Sequence, residues 1–138
     1  MGTIFRNLDG TETRIDLRPS KYPMKSQSEC KSDAQFRFGL RLRGIFPHSR
    51  ILEEFGLPNT GALALDFWLP DEGFAFEVQG AQHFQFVKYY HGTLAGFRRQ
   101  KMNDARKQRW CTLNNIKLIC VKDTDVDSVD IVGLLNAG

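Results

Sequence analysis

Two short apolar stretches separated by a four-residue turn limit the possible folds of this 138-residue chain more than any other feature. Residues 63–69 and 74–79 each alternate large apolar side chains with small or polar ones. Because successive side chains of a strand point to opposite faces, this alternation predicts two β-strands. Residues 70–73 combine a proline, two acids and a glycine, a composition typical of a turn. The segment is therefore predicted to form an antiparallel hairpin.

The apolar pattern also predicts the register of this hairpin. The large apolar side chains share one face if the strands pair as Leu69 with Phe74, Phe67 with Phe76 and Leu65 with Val78. A slip of one residue would scatter them over both faces. The same register places Asp66 directly opposite Glu77, and Gln79 lies two residues further along on their face.

Two carboxylates placed directly opposite each other repel, so this arrangement destabilises an empty sheet. A divalent cation between Asp66 and Glu77 would remove the repulsion, and magnesium takes carboxylate oxygens together with water and phosphate. Gln79 is then in a position to orient a water molecule or to bind a phosphate. The alternative is that both acids line a solvated outer face, as polar residues of an antiparallel pair often do.

The other segments predict helices and strands in alternation. A helix capped by Ser32 is expected to run to about residue 43, although the alternation at residues 36–42 leaves a strand as the alternative. Strands are predicted at residues 51–55 and 116–121, and helices at residues 97–114 and, capped by Asp127, near residue 130. The last strand follows a helix, so it should run parallel to a neighbour in a mixed α/β fold. Residues 1–25 are predicted to be a polar, irregular extension with at most a short strand at 13–17.

The helix predicted at residues 97–114 carries two polar features. Gln100, Asp104, Lys107 and Cys111 recur at helical spacing, so they share one face that either lines a cleft or is an ordinary solvent face. Lys107 is a candidate to contact phosphate and to stabilise developing charge. Five further basic residues are candidates to hold a nucleic-acid backbone, or else form a solvated helix face. They are Arg98, Arg99, Lys101, Arg106 and Arg109.

Composition excludes several classes of protein. The three cysteines include no CxxC pair, which argues against a disulfide scaffold or a structural zinc site. No apolar run approaches the length of a membrane span and no secretory signal is visible at the N-terminus, so we expect a cytoplasmic protein without membrane contact. His83 follows the hairpin and is a candidate general base or phosphate ligand, although a lone histidine is more often an ordinary loop residue.

Taken in order, these stretches resemble the PD-(D/E)xK nucleases, in particular the very-short-patch repair endonucleases and the phage and homing endonucleases built on the same core. The resemblance covers about residues 26–122. It rests on Leu65-Asp66-Phe67-Trp68-Leu69-Pro70, Phe76-Glu77-Val78-Gln79-Gly80, Gln82-His83-Phe84, and the helix residues Phe97, Gln100, Asp104, Lys107 and Cys111 with Asn115-Ile116 and Leu118.

The resemblance implies an α/β restriction-endonuclease-like core with a mixed central sheet flanked by helices, in the order α-β-β-β-α-β. The chain would divide into an extension (residues 1–25) and a nuclease domain (residues 26–138). The implied activity is hydrolysis of phosphodiester bonds in double-stranded DNA with magnesium or manganese. A phage or mobile-element origin is implied as well, and a chain of this size would need a homodimer to cut both strands.

Carried over residue by residue, Asp66 and Glu77 match the two metal-binding acids of the family. Gln79 stands where the name-giving motif has lysine, a departure found in some members. Gln35 stands where many relatives carry a first-helix glutamate, in the frame Ser32-x-x-Gln35, and Ser26-x-x-Glu29 is the second candidate frame. The two glutamines motivate an alternative function, a nuclease-fold DNA-binding module that has lost catalysis. A third possibility is a protein-interaction or virion component.

Overall fold

A computed structural model describes residues 2–80 and 93–136. Strands β1 (Thr3–Arg6) and β2 (Glu12–Ile15) form a small antiparallel sheet. Strands β3 (Leu52–Gly56), β4 (Ala64–Leu69), β5 (Phe74–Gln79) and β6 (Lys117–Lys122) form a four-stranded sheet in that order. Helix α1 (Asp33–Ile45) precedes β3, α2 (Leu94–Leu113) lies between β5 and β6, and α3 (Ile131–Asn136) comes last.

The four-stranded sheet is mixed. Strands β3, β4 and β5 pair antiparallel, whereas β6 runs parallel to β5. A parallel neighbour needs a long crossover connection, which includes α2. The predicted mixed α/β architecture and the parallel last strand are both confirmed.

The hairpin of β4 and β5 has the predicted register. Phe67 pairs with Phe76, Trp68 with Ala75 and Leu69 with Phe74. Regular pairing stops at Phe67 and Phe76, so Asp66 and Glu77 lie just beyond the last paired residues. This interruption of the ladder positions the candidate site.

Helix α1 forms because its first turn is capped and its inner face is apolar. The Ser32 hydroxyl accepts a hydrogen bond from the backbone N–H of Gln35 at 3.1 Å. Phe38 and Leu42 are fully buried, and the Phe38 ring lies 5.3 Å from that of Phe76. The segment is therefore a helix rather than the alternative strand, and it continues to Ile45.

The side chains of the large sheet pack into two clusters. The aromatic cluster contains Phe5, Phe55, Leu65, Trp68 and Trp110 among others. The second cluster contains Phe38, Phe67, Leu69, Phe76 and Ile131 among others.

The prediction that Leu65 shares a face with Phe67 is wrong. Strands β3 and β4 pair on both sides of Glu54 and Asp66 but not at these two residues, and Glu54 has a φ of 54°. The alternation of side chains between the two faces of β4 is interrupted there. Leu65 therefore packs in the same cluster as Trp68, whereas Phe67 packs in the other cluster.

The prediction that residues 1–25 are irregular is wrong for the β1–β2 hairpin. Phe5 is buried, with its ring 5.2 Å from that of Trp68 and 5.7 Å from that of Trp110. The Asn114 side chain accepts from the backbone N–H of Arg6 and donates to its carbonyl, which ties β1 to the end of α2. Three spaced apolar residues are enough to bury one face of this hairpin. They are Phe5, Ile15 and Leu17.

Two helix boundaries also differ from those predicted. Helix α2 begins at Leu94, because Thr93 caps it through a hydrogen bond from the Gly96 N–H. The cap of α3 is Asp130, which accepts from the Gly133 N–H at 3.1 Å. Asp127 instead accepts a hydrogen bond from Arg37 on α1. Among the described residues, no helix combines the length and the apolar character that crossing a membrane requires.

Candidate functional site

Where the backbone pairing of β4 and β5 ends, the carboxylates of Asp66 and Glu77 accept hydrogen bonds from backbone N–H groups of the opposite strand. The backbone N–H of Asp66 donates to Glu77 Oε2 at 2.6 Å, and the backbone N–H of Val78 donates to Asp66 Oδ2 at 2.8 Å. Asp66 is 2% exposed and Glu77 is 3% exposed. The two acids therefore do not line a solvated face, and each carboxylate is fixed by the neighbouring strand.

The second oxygen of each carboxylate contacts an ammonium group. Asp66 Oδ1 lies 2.7 Å from Lys31 Nζ, and Glu77 Oε1 lies 2.7 Å from Lys107 Nζ. A charge buried without a partner is very costly, and each of these buried carboxylates has a cation beside it.

Burial and the neighbouring charge of Asp66 raise the pKa of Glu77 from its ordinary value of 4.5 to about 6, although Lys107 opposes the shift. For Lys31, burial acts to lower the pKa. The charge and hydrogen bond of Asp66, helped by Glu54, outweigh it and hold the pKa of Lys31 above its usual range. Lys31 is therefore fully charged at neutral pH.

Gln35 joins α1 to the same site. Its side chain is 1% exposed and donates to Glu53 Oε2 at 2.7 Å and to Glu54 Oε1 at 3.1 Å. Lys31 Nζ lies 3.5 Å from Glu54 Oε1, so Gln35 reaches Asp66 through Glu54 and Lys31.

Glu29, the acid of the second candidate frame, is exposed and accepts hydrogen bonds from the backbone N–H and the hydroxyl of Ser26. Ser32-x-x-Gln35 is therefore the frame whose last residue lies in this network.

A cavity of about 300 Å³ lies beside the two acids. Its wall on the α2 side contains Gln100, Asp104 and Lys107, three residues of the predicted polar stripe. The fourth, Cys111, is buried beneath them in the aromatic cluster. The stripe thus lines a cleft. The opposite wall is formed by Lys31, Glu54 and residues 62–64.

The chain resembles two curated viral proteins. It is 35% identical over 122 residues to the uncharacterized protein 094L of frog virus 3 (isolate Goorha), a match that covers 86% of this chain and 71% of that protein. The chain belongs to the 094L family. It is also 37% identical over 65 residues, 47% of its length, to the uncharacterized protein 307L of invertebrate iridescent virus 6. The matched segment spans 33% of protein 307L. No family model and no solved structure matches the chain.

The other predicted site residues of this 094L-family member lie at the edges of the cleft or outside the described residues. Gln79 ends β5, is 8% exposed and pairs in register with Lys122. His83 lies outside the described residues. Arg98, Arg99, Lys101 and Arg109 are exposed on α2, whereas Arg106 is half-buried and donates to Asn103.

Asp66 and Glu77 are the type of ligand that a hard divalent cation prefers. Asp66 Oδ1 and Glu77 Oε1 already face cationic nitrogens, and magnesium is often bound by one or two carboxylates with water and substrate phosphate. The described ranges 2–80 and 93–136 hold no group of three or more His, Cys, Asp or Glu residues placed to bind a metal. Burial raises the pKa of the Cys111 thiol to about 12, which keeps it neutral. In those ranges the site thus offers a metal ion two carboxylates and no larger group of ligands.

Sequence reasoning missed Lys31, Glu53 and Glu54. Two adjacent acids within the apolar strand 51–55 were a usable signal, because one of them had to face the interior. Glu53 is 3% exposed and accepts from the backbone N–H of Lys25 and from Gln35, so it anchors the segment before α1. Lys31 carried no such signal, since its position in the site depends on how that segment crosses the sheet.

Proposed function

We propose that this 094L-family protein is a metal-dependent endonuclease of the PD-(D/E)xK type that hydrolyses phosphodiester bonds in DNA. The observation that carries the proposal is the pair Asp66 and Glu77. Both are buried where β4 and β5 separate, and each has one oxygen fixed by a backbone N–H and the other facing a cation.

One further observation supports the proposal. The succession of α1, β3, β4, β5, α2 and β6 follows the order that the resemblance implies for the nuclease core. The two relatives are uncharacterized viral proteins, which supports a viral origin and says nothing of the activity. A phage or mobile-element origin and a location in the host cytoplasm stay predictions.

In this proposal Asp66 and Glu77 hold magnesium or manganese. When bound, the ion supplies Lewis-acid polarisation of the phosphate and lowers the pKa of water. Lys107 extends from α2 into the cleft and stabilises negative charge that develops on the phosphate. Gln79, which ends β5, and His83 are proposed to orient water or phosphate, and Gln35 positions Glu54 and, through it, Lys31.

The exposed basic residues of α2 are proposed to hold the DNA backbone. Each lysine or arginine that neutralises a phosphate releases a counterion, which makes binding dependent on salt. Arg98, Arg99, Lys101 and Arg109 are exposed, and Arg106 lies on the same helix.

The test is incubation of the purified protein with supercoiled plasmid in magnesium, in manganese and in EDTA. We expect cleavage with either metal, none in EDTA, and a loss of at least about 100-fold in Asp66→Asn, which keeps the size of the side chain but removes its charge. The matched control is Asp71→Asn in the turn of the same hairpin, which leaves activity intact. Cleavage by Asp66→Asn at the wild-type rate would rule out the assignment.

The form of the product also tests the predicted homodimer. Nicked circles indicate cleavage of one strand by one active site, whereas linear plasmid from single encounters indicates two sites acting together. Sedimentation of the protein with and without DNA then shows whether the second site comes from a second copy.

The catalytically silent DNA-binding module is the second candidate. Gln35 and Gln79 favour it, and so do the two lysines that already neutralise Asp66 and Glu77. It predicts salt-dependent DNA binding without cleavage in any metal. Retention on DNA at low salt with intact plasmid in all three buffers would select it.

A further inference from the structure

Lys31 is placed differently from the other lysine of the site. It immediately precedes Ser32, the cap of α1, and its side chain is 59% exposed, whereas that of Lys107 is 15% exposed. Its ammonium group nevertheless reaches Asp66 Oδ1, on a side chain that is 3% exposed. Lys31 thus lies on the solvent side of the cavity, while its ammonium group pairs with a buried carboxylate.

Lys31 occupies the oxygen that a metal ion needs. Asp66 Oδ2 accepts the backbone N–H of Val78, and Oδ1 accepts from Lys31, which lines the cavity. A divalent cation and an ammonium group in contact with the same oxygen repel each other strongly. Binding of the ion therefore displaces the charged end of Lys31, and its exposed stem leaves it free to turn towards the mouth of the cavity.

The ligands that a divalent cation takes indicate where the displaced group binds. In the metal-free site Lys31 contacts both Asp66 and Glu54, and Lys107 contacts Glu77. A magnesium ion held by one or two carboxylates completes its coordination with water and substrate phosphate. A DNA phosphate that approaches the ion meets the released ammonium group of Lys31, which has three donors for phosphate oxygens.

We propose that Lys31 is a phosphate-binding residue of the site, held on Asp66 until a divalent cation releases it to the DNA backbone. Metal binding and DNA binding are then coupled through this one side chain. The inference rests on the proposed function, because it uses the same carboxylates and the same substrate class.

The first readout is the dependence of DNA affinity on salt, measured with a short fluorescent duplex. Calcium replaces magnesium, since it also takes oxygen ligands, and electrophoresis confirms that the duplex stays intact. Losing one phosphate contact lowers the slope of log affinity against log salt by about 0.9. We expect Lys31→Met to show this loss in calcium and no change in EDTA. Lys21→Met removes an exposed lysine that pairs with Asp16 rather than with an acid of the site, and it should leave the slope unchanged in both buffers.

The second readout is calcium affinity without DNA, measured by calorimetry. Lys31→Met should bind calcium about fivefold more tightly than wild type, because a competing ion pair is gone. A merely structural role for Lys31 would instead weaken both calcium and DNA binding. Lys31→Gln removes the charge but retains a hydrogen-bond donor, and it replaces Lys31→Met if that variant melts far below wild type.

Four results would overturn the inference. A slope that falls equally in EDTA and calcium would show that Lys31 contacts DNA without release by metal. Unchanged calcium affinity in both Lys31 variants would show that Lys31 does not compete for Asp66. If the wild-type protein bound neither calcium nor DNA, the proposed function would fail together with the inference. If it bound both and the variants matched it, the inference alone would fail.

Discussion

At the scale of single residues, the site depends on which partner each carboxylate oxygen of Asp66 and Glu77 contacts. One oxygen of each accepts a backbone N–H of the opposite strand, and the other accepts an ammonium hydrogen bond. Burying an unpaired charge costs several kcal/mol, so removing either lysine leaves a carboxylate that must be neutralised in another way. A proton can do this, and under the proposed function a metal ion can do so as well.

The raised pKa of Glu77 predicts how stability depends on pH. The folded-state value of about 6 lies above the ordinary 4.5, so the stabilising contribution is fully present below about pH 4.5 and is lost as pH rises through about 6. The difference corresponds to roughly 2 kcal/mol. We expect the free energy of unfolding of the metal-free protein to fall by about this amount, relative to Glu77→Gln, between about pH 4 and pH 7.

Urea denaturation of both proteins in EDTA measures this difference. Glu77→Gln resembles the protonated carboxyl in shape and does not titrate, so it serves as the reference. The difference in free energy of unfolding between the two proteins could instead stay constant with pH, or shift in favour of wild type as pH rises. Either result would show that burial and Asp66 do not destabilise the ionised form of Glu77.

At the scale of elements, α1 is held close to the sheet by a glycine. A Cβ built on Gly39 would lie 3.0 Å from an atom of the Phe67 ring and 3.2 Å from Met24 Cε. Gly44, one turn further along, would meet nothing within 4 Å. The close approach of α1 to β4 is what allows Gln35, on the first turn, to reach Glu53 and Glu54.

Alanine substitutions at the two glycines should have opposite effects. Gly44→Ala should stabilise the protein by up to about 1 kcal/mol, because alanine favours the helix and has room. Gly39→Ala makes the same gain in helix propensity but pushes against the fully buried Phe67, and should destabilise the protein by about 1 kcal/mol net. Thermal unfolding followed by circular dichroism checks both variants, and equal stabilisation by both would show that α1 has space to move away from the sheet.

At the scale of the whole molecule, the N-terminal hairpin closes one side of the large sheet. Phe5 packs on Trp68 from the sheet and Trp110 from α2, while Ile4 beside it is 52% exposed. The hairpin is therefore part of the hydrophobic core and not a loose arm. Its contact with Trp110 also helps to hold α2, the helix that carries Lys107.

Truncation of Phe5 should therefore cost far more than truncation of its neighbour. Phe5→Ala should lower the free energy of unfolding by about 3 kcal/mol, because it leaves a cavity among fully buried aromatic rings. Ile4→Ala should change it by less than about 0.5 kcal/mol. Guanidinium denaturation measures both, and a similar small effect of the two variants would mean that residues 1–25 do not support the core.

Local patterns in the sequence determined much of this protein. The alternation of Leu69, Phe67, Phe74 and Phe76 predicted the β4–β5 register, because only one register buries large apolar side chains together. Ser32 predicted the start of α1 because a hydroxyl there satisfies a free backbone N–H. The spacing of Gln100, Asp104 and Lys107 predicted that they share one face of α2, and in the structure this face lines the cleft. Each inference needed only interactions between residues close in sequence or paired in one hairpin.

Only the tertiary structure decided the surroundings of Asp66 and Glu77. The approach of Lys31 joins residues 35 positions apart. The opening of the ladder and the change of phase at Glu54 arise where β3, β4 and β5 pack together, and the periodicity of any one strand carries no information on them. The N-terminal hairpin became part of the core for the same reason, since Phe5 meets Trp110 across nearly the whole chain. The sequence by itself determined which acids are candidates, whereas packing over long separations in the chain decided that they are buried, paired and joined by a second lysine.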